Sequence, residues 1–387
     1  MDIKNIFKKA SNDILNDFKK SIGIKEKKNK LYTQNPTTDK EVLQNIWITN
    51  NIYINQEDNL LFPTVIKERD RKWGKQIVIL VPQGLSSKKI IDKKEIFTTA
   101  FDKEIDLDKK GKRIYLKIYK KGLKKTYPYK KEIYENLKGY KLAIPIGYTQ
   151  TGFKYLDLTK SYHHLLVGGI TGLGKSVFLR QGLYSMCKAY SEDYLIIYGI
   201  DLKGGIEFKP FINVPNFKQI IISKAETEEI LEKLNDVLNK RMSGEKCLPH
   251  IILAIDELAE ISGNKLSESI IERLSRLSRA YNIHLILCTQ RPSADTLDGK
   301  IKANLSATVC FRSRNKVNSR ILLDNGNAAD LPYIPGRCIL QTTKEEICQV
   351  ARLKKDQLYK EYGKGEFESG NENDEDSNMS AGKVIGD

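Results

Sequence analysis

The sequence predicts an α/β protein in which a mostly parallel sheet carries helices on both faces, preceded by a small α+β domain. Three observations predict it. Short apolar runs at Leu165–Val167, Tyr194–Ile200, Ile251–Ile255, His284–Thr289, Thr308–Phe311 and Cys338–Gln341 read as buried strands. Helical patterns, notably Glu226–Met242 and Ser269–Tyr281, separate the first four, and such alternation implies parallel strands joined by crossovers. A glycine-rich loop, Gly169-Ile170-Thr171-Gly172-Leu173-Gly174-Lys175-Ser176, lies between the first strand and a helix-compatible stretch, Val177 to Met186.

Four segments are expected along the 387 residues. Residues 1–39 are a basic amphipathic helix and linker: Ile3, Ile6, Phe7, Ala10, Ile14, Phe18 and Ile22 recur at helical spacing, with Lys4, Lys8, Lys9, Lys19 and Lys20 between them. Such a helix lies on a membrane, docks on a partner or packs on its own domain, and the sequence leaves these open. Residues 40–145 read as the small domain. Ile77–Val81 is a strand, Pro82–Ser87 a turn ending in a helix cap, Lys88–Phe101 a helix, and Arg113–Tyr119 alternates as a half-exposed strand does. Lys120–Tyr134 mixes Lys with Tyr, which suits either a nucleic-acid path or a solvated basic face. Residues 146–355 hold the glycine loop and the strand–helix alternation. Residues 356–387 read as an acidic, disordered tail.

Charge points to a polyanionic partner. The net charge of +16 suits nucleic acid first and an anionic membrane surface second. The six cysteines form no C-x-x-C pair and read as reduced core thiols, and the four histidines form no H-E-x-x-H. His163-His164 reads as structural. No run is apolar for the ~18 residues a membrane span needs, and the Lys-rich start does not match a signal peptide. A soluble, cytoplasmic protein is expected, with any membrane association through a partner or the N-terminal helix.

The glycine loop matches G-x-x-x-x-G-K-[ST] with the flanking strand and helix that the pattern requires, so the fold is read as a RecA-like P-loop NTPase. Glycines let backbone N–H groups turn around an anion, and the following helix directs its positive end at the phosphates. Lys175 reaches the β- and γ-phosphates of ATP, and the Ser176 hydroxyl ligates Mg²⁺. Ile251–Ile255 runs into Asp256-Glu257. That places two carboxylates at the sheet edge where ligands sit. Asp256 is expected to hold the Mg²⁺, and Glu257 to orient and activate the attacking water.

Beyond the P-loop, Ile283-His284-Leu285-Ile286-Leu287-Cys288-Thr289-Gln290-Arg291-Pro292-Ser293 ends a strand in a polar tip. Ile301-Lys302-Ala303-Asn304, then Lys316-Val317-Asn318-Ser319-Arg320-Ile321-Leu322-Leu323-Asp324, then Pro335-Gly336-Arg337 follow. Together these blocks resemble the FtsK/SpoIIIE family of double-stranded-DNA translocases over about residues 144 to 350. The resemblance implies that Gln290 senses the γ-phosphate and that Arg279 is an arginine finger offered to a neighbouring subunit's ATP. It also implies that Lys302, Lys316 and Arg320 face DNA phosphates in the pore of a homohexamer. Asp201-Leu202-Lys203-Gly204-Gly205 matches a family loop whose role the sequence does not define.

Familiar members carry N-terminal membrane helices and often a winged-helix module, and neither is recognised here. The expectation is a shorter translocase of the kind carried by a plasmid, phage or conjugative element, with a membrane or relaxosome-type protein as a further partner. Two alternatives stay open: a coupling ATPase recruiting protein or nucleoprotein to a secretion channel, and a nucleotide-switched DNA-binding adaptor.

Overall fold

The computed structural model describes residues 31–56, 59–293 and 296–363; the expected N-terminal helix at 1–30 and the acidic segment at 364–387 lie outside the described residues. The chain divides into two compact units, Met1–Gly122 and Leu123–Asp387.

In the first unit, a capping box between Thr38 and Glu41 starts helix α1 (Asp39–Thr49). Strands β1 (Thr64–Arg71) and β2 (Gly74–Leu80) form a hairpin. Helices α2 (Lys88–Ile91) and α3 (Lys94–Phe101) follow, then strands β3 (Ile105–Lys110) and β4 (Arg113–Tyr119). The sheet order is β1-β2-β4-β3, antiparallel throughout. Period-two alternation turns Ile77 and Ile79, with Ile114, Leu116 and Ile118, onto one face. Trp47 and Phe97 close that core edge-on at 5.5 Å. The single helix expected over Lys88–Phe101 is two, because Lys93 leaves helical dihedrals.

In the second unit, a short strand at Tyr127–Pro128 and a helical turn at Glu132–Glu135 precede β5 (Ala143–Thr149) and β6 (Gly152–Asp157). Then come β7 (Leu165–Gly168), α4 (Lys175–Ala189), β8 (Leu195–Ile200), β9 (Phe217–Ile221), α5 (Lys224–Met242) and β10 (His250–Ile255). α6 (Lys265–Leu277), β11 (Ile283–Thr289), α7 (Gly299–Asn304), β12 (Ala307–Phe311), α8 (Lys316–Leu323), β13 (Arg337–Gln341), β14 (Glu345–Gln349) and α9 (Lys355–Tyr362) complete it. The ten-stranded sheet runs β9-β8-β10-β11-β7-β12-β13-β14-β5-β6. It is parallel from β9 to β12 and antiparallel beyond, so the sheet is mixed and its parallel half carries the glycine loop. The central strands are buried on both faces. Leu165, Val167, Ile252, Ala254, Ile286 and Cys288 pack toward Phe178, Leu179 and Leu183 of α4. The alternate residues Leu166, Leu253, Ile255, Leu285 and Leu287 pack toward Leu234 of α5 and Ile271 and Leu274 of α6.

Two expected boundaries move. The division falls at Gly122/Leu123 rather than 145/146, because the intervening residues pack on the second unit. Tyr127–Pro128 pairs with Ala351–Arg352, and Leu137 and Leu142 share a core with Phe178. The tail expected from residue 356 begins instead as helix α9, anchored by buried Leu358 and by Glu361, which accepts from Tyr184 and pairs with Lys188. Within the Lys/Tyr-rich segment, Tyr127 stacks on Tyr148 at 4.1 Å and Tyr129 shares a hydrogen bond with Ser185, so these rings serve packing while Lys124, Lys125 and Lys130 are exposed.

All four histidines gather at the N-terminal ends of β7, β10 and β11. His250 Nδ1 and His284 Nε2 share a hydrogen bond at 3.1 Å, His284 Nδ1 bonds the His163 carbonyl, and His164 Nδ1 accepts from the Leu285 amide.

Candidate active site

Register brings the predicted residues to one edge. Gly168 at the end of β7 is level with Thr289 of β11, and Ile255 of β10 is level with Leu287. Asp256, Glu257 and Gln290 therefore leave their strands beside the Gly169–Ser176 loop. The loop needs its glycines. Gly169 and Gly174 have φ of +140° and +113°. A Cβ at Gly169 would stand 2.6 Å from Phe311 Cβ, and one at Gly174 2.8 Å from Gly336 N. The Gly336 amide also donates to Leu173 O at 2.9 Å, so the Pro335-Gly336-Arg337 block braces the loop from beneath.

Lys175 is 4% exposed, and its Nζ has no hydrogen-bond partner among the described residues. Burial pushes its pKa down. A buried, unpartnered ammonium is costly, and a phosphate oxyanion is the ligand that removes the cost. Asp256 is buried as well. Burial pushes its carboxyl up to about 7, and the nearby Glu207 and Asp201 charges add to this, against Lys175 and Lys203. A buried acid among acids fits a divalent cation. The half-buried Ser176, in the first turn of α4, would complete a Mg²⁺ site with it, and the residues present fit ATP with that ion.

Glu257 is buried, and both of its oxygens accept from the Gln290 amide at 3.1 Å. Its Oε2 also lies 3.3 Å from Lys203 Nζ. The Gln290 side-chain carbonyl accepts from the Thr171 hydroxyl, tying the strand tip to the glycine loop. Lys203, together with Asp201 and Glu207, is the part of the site that the sequence reading left without a role. The available signal was position: Asp201-Leu202-Lys203 follows β8 directly, at the same sheet edge.

Other expected residues lie elsewhere. Arg279 is exposed in the turn before β11, next to the histidine cluster. β11 spans about 23 Å at the usual rise for its length, so Arg279 stands at the opposite sheet edge from its own glycine loop. Lys316 and Arg320 are exposed four residues apart on α8 and share a face. Lys302 is different: its ammonium pairs with Asp324 at 2.6 Å, so in this state it is not open to a ligand.

A mixed α/β sheet with a glycine loop, a buried lysine and two acids at the ends of its parallel strands defines a P-loop ATPase. Residues 140–247 match the model of the FtsK/SpoIIIE family. DNA translocase FtsK of Helicobacter pylori (strain J99) is 32% identical over 213 residues, 49% of this chain and 25% of that protein. The Campylobacter jejuni (serotype O:2) protein of the same name is 33% identical over 226 residues, 52% of this chain and 23% of its own. This chain thus spans about a quarter of the length of these curated relatives. Among solved structures, the pCW3 conjugation coupling protein TcpA, in a monomer form with ATPγS, matches with a TM-score of 0.57 and 25% identity. That match covers 86% of this chain and 96% of TcpA. EssC (ATPases 2 and 3) from Geobacillus thermodenitrificans, at 18% identity and a TM-score of 0.50 over 57% of this chain and 49% of its own, shares the fold. No helix among the described residues is long and apolar enough to cross a membrane.

Proposed function

We propose that this chain is an ATP-driven motor that moves duplex DNA through a homohexameric ring, in the transfer or maintenance of a mobile element. The observation that carries the reading is the polarity of β11. Gln290 at one end touches the chain's own glycine loop, while Arg279 at the other end stands too far away to serve it. An arginine so placed suits a site completed by a second subunit. The translocase relatives and the likeness to a conjugation coupling protein support DNA as the substrate.

In this reading the loop amides and Lys175 hold the phosphates, and Ser176 and Asp256 hold Mg²⁺. The ion, when bound, neutralises charge on the β- and γ-oxygens. Glu257 orients the attacking water and takes its proton. Lys316 and Arg320 grip the DNA backbone without reading sequence, and Lys302 joins them once it leaves Asp324. A membrane or relaxosome-type protein is the expected further partner.

A second reading, a coupling ATPase that delivers a protein or nucleoprotein to a channel, is favoured by the name borne by TcpA. ATPase assays with and without linear duplex DNA separate these readings. The motor is expected to be stimulated several-fold by duplex. Basal turnover without stimulation favours coupling, and nucleotide binding without turnover identifies a nucleotide-switched adaptor.

A further inference from the structure

The loop Asp201-Leu202-Lys203-Gly204-Gly205 is built to hold one side chain in place. Asp201, 2% exposed, accepts from the Lys203 amide at 3.1 Å through Oδ1 and from the Glu207 amide at 2.8 Å through Oδ2. Its own carbonyl accepts from the Gly205 amide at 3.1 Å. Gly204 and Gly205 supply the left-handed φ of +83° and +74° that the turn requires. The product of this bracing is Lys203 Nζ standing 3.3 Å from Glu257 Oε2. Both oxygens also accept from the Gln290 amide, so the carboxylate of the expected water-activating group is held between Lys203 and the strand tip.

We propose that Lys203 is a positioning residue that latches Glu257 in an idle orientation against Gln290, and that hydrolysis requires the latch to open. The inference rests on the reading of Glu257 as the water-orienting base. The two ends of the contact differ in exposure: Lys203 is 41% exposed and Glu257 is 5% exposed. A pair with one partner in solvent is weak, so losing it shifts an equilibrium only about five-fold. That suits a device that must open in every cycle and does not suit a structural strut. Gln290 links the latch to the glycine loop through Thr171, so a rearrangement of that loop reaches Glu257 through a single residue.

The test uses the full chain and the variants Lys203→Met, which keeps the stem and removes the charge, and Lys203→Arg, which keeps the charge. Amide hydrogen exchange at Gln290, read without nucleotide, is expected to rise about three- to five-fold in Lys203→Met and to return toward wild type in Lys203→Arg. DNA-free ATPase is expected to rise by a similar factor in Lys203→Met, with the stimulation by duplex reduced accordingly. Unchanged exchange at Gln290 in Lys203→Met overturns the latch. Faster exchange with an unchanged or lower DNA-free rate overturns the idle orientation, because Lys203 would then aim Glu257 productively or not matter to it. Glu257→Gln, run in parallel, tests the underlying reading separately: wild-type turnover in that variant removes Glu257 as the base, whatever Lys203 does.

Discussion

At the scale of single residues, the site separates binding from chemistry. Lys175 is buried with no partner for its ammonium among the described residues, which suits the proposed phosphate contact. Lys175→Ala is expected to abolish nucleotide binding in a titration with a fluorescent ATP analogue. Glu257→Gln is expected to bind normally and to hydrolyse about 10²-fold more slowly or worse, the usual loss for a positioned general base. Steady-state turnover near wild type in that variant would remove Glu257 from the mechanism. The cations on α8 give a further test. Lys316→Ala and Arg320→Ala should each weaken binding to all duplexes alike and lower the salt slope by about one unit per subunit engaged. Lys302→Ala should do less, since its ammonium is already held by Asp324. A loss confined to particular DNA sequences would show that α8 reads bases.

At the scale of elements, much of the site was legible because parallel strands in a P-loop domain end on one edge, and the sequence marks those ends. Leu165–Val167, Ile251–Ile255 and His284–Thr289 are apolar on both faces, and a chemistry-bearing residue follows each one. The missed elements lack that mark. Phe217–Ile221 lies at the sheet edge with Lys218 and Gln219 exposed, and Glu345–Gln349 opens with two consecutive glutamates, so neither shows the unbroken apolar run of the central strands. The role of Lys203 was hidden for a related reason: its partner lies 54 residues away and meets it only through the order of strands. The histidine cluster at the far edge leads to a pH prediction. Burial holds His164 and His250 near a pKa of about 4, and His284 well below its ordinary value, so the folded state keeps these rings neutral. Below an unfolded-state pKa of about 6.5 the unfolded chain binds more protons. The cluster's contribution to stability is therefore complete above about pH 6.5 and is lost as pH falls toward 4, opposed by Asp256, whose raised carboxyl makes the folded state bind the extra proton below about pH 7. The decline amounts to about 3 kcal/mol for His164 alone. Thermal midpoints from about pH 7 to about pH 5 should show this slope, and His164→Asn, whose side-chain oxygen can still accept from the Leu285 amide, should flatten it. Identical pH slopes in His164→Asn and the wild type would contradict the neutral cluster.

At the scale of the whole molecule, the division at Gly122/Leu123 predicts how the chain can be cut. A fragment starting at Leu123 keeps Leu137, Leu142 and β5, and should fold and bind ATP. One starting at residue 146 cuts through β5 and should be insoluble or molten by circular dichroism. If both fragments behave alike, the boundary is not where the packing puts it. Assembly gives the second test at this scale. Arg279→Ala subunits retain a glycine loop and Lys175→Ala subunits retain the finger, so mixing the two inactive variants should restore part of the ATPase. Co-assembled mixtures that recover nothing, beside a fully active Arg279→Ala protein, would place the finger elsewhere. The proposed ring also gives β11 a directional task. A strand has a head and a tail, and in that ring the tail would report on one nucleotide while the head reached for another. Repeated head to tail around a closed circle, six such rods would pass the state of each site to only one of its two neighbours, so firing would circulate with a fixed handedness written into the chain's own direction.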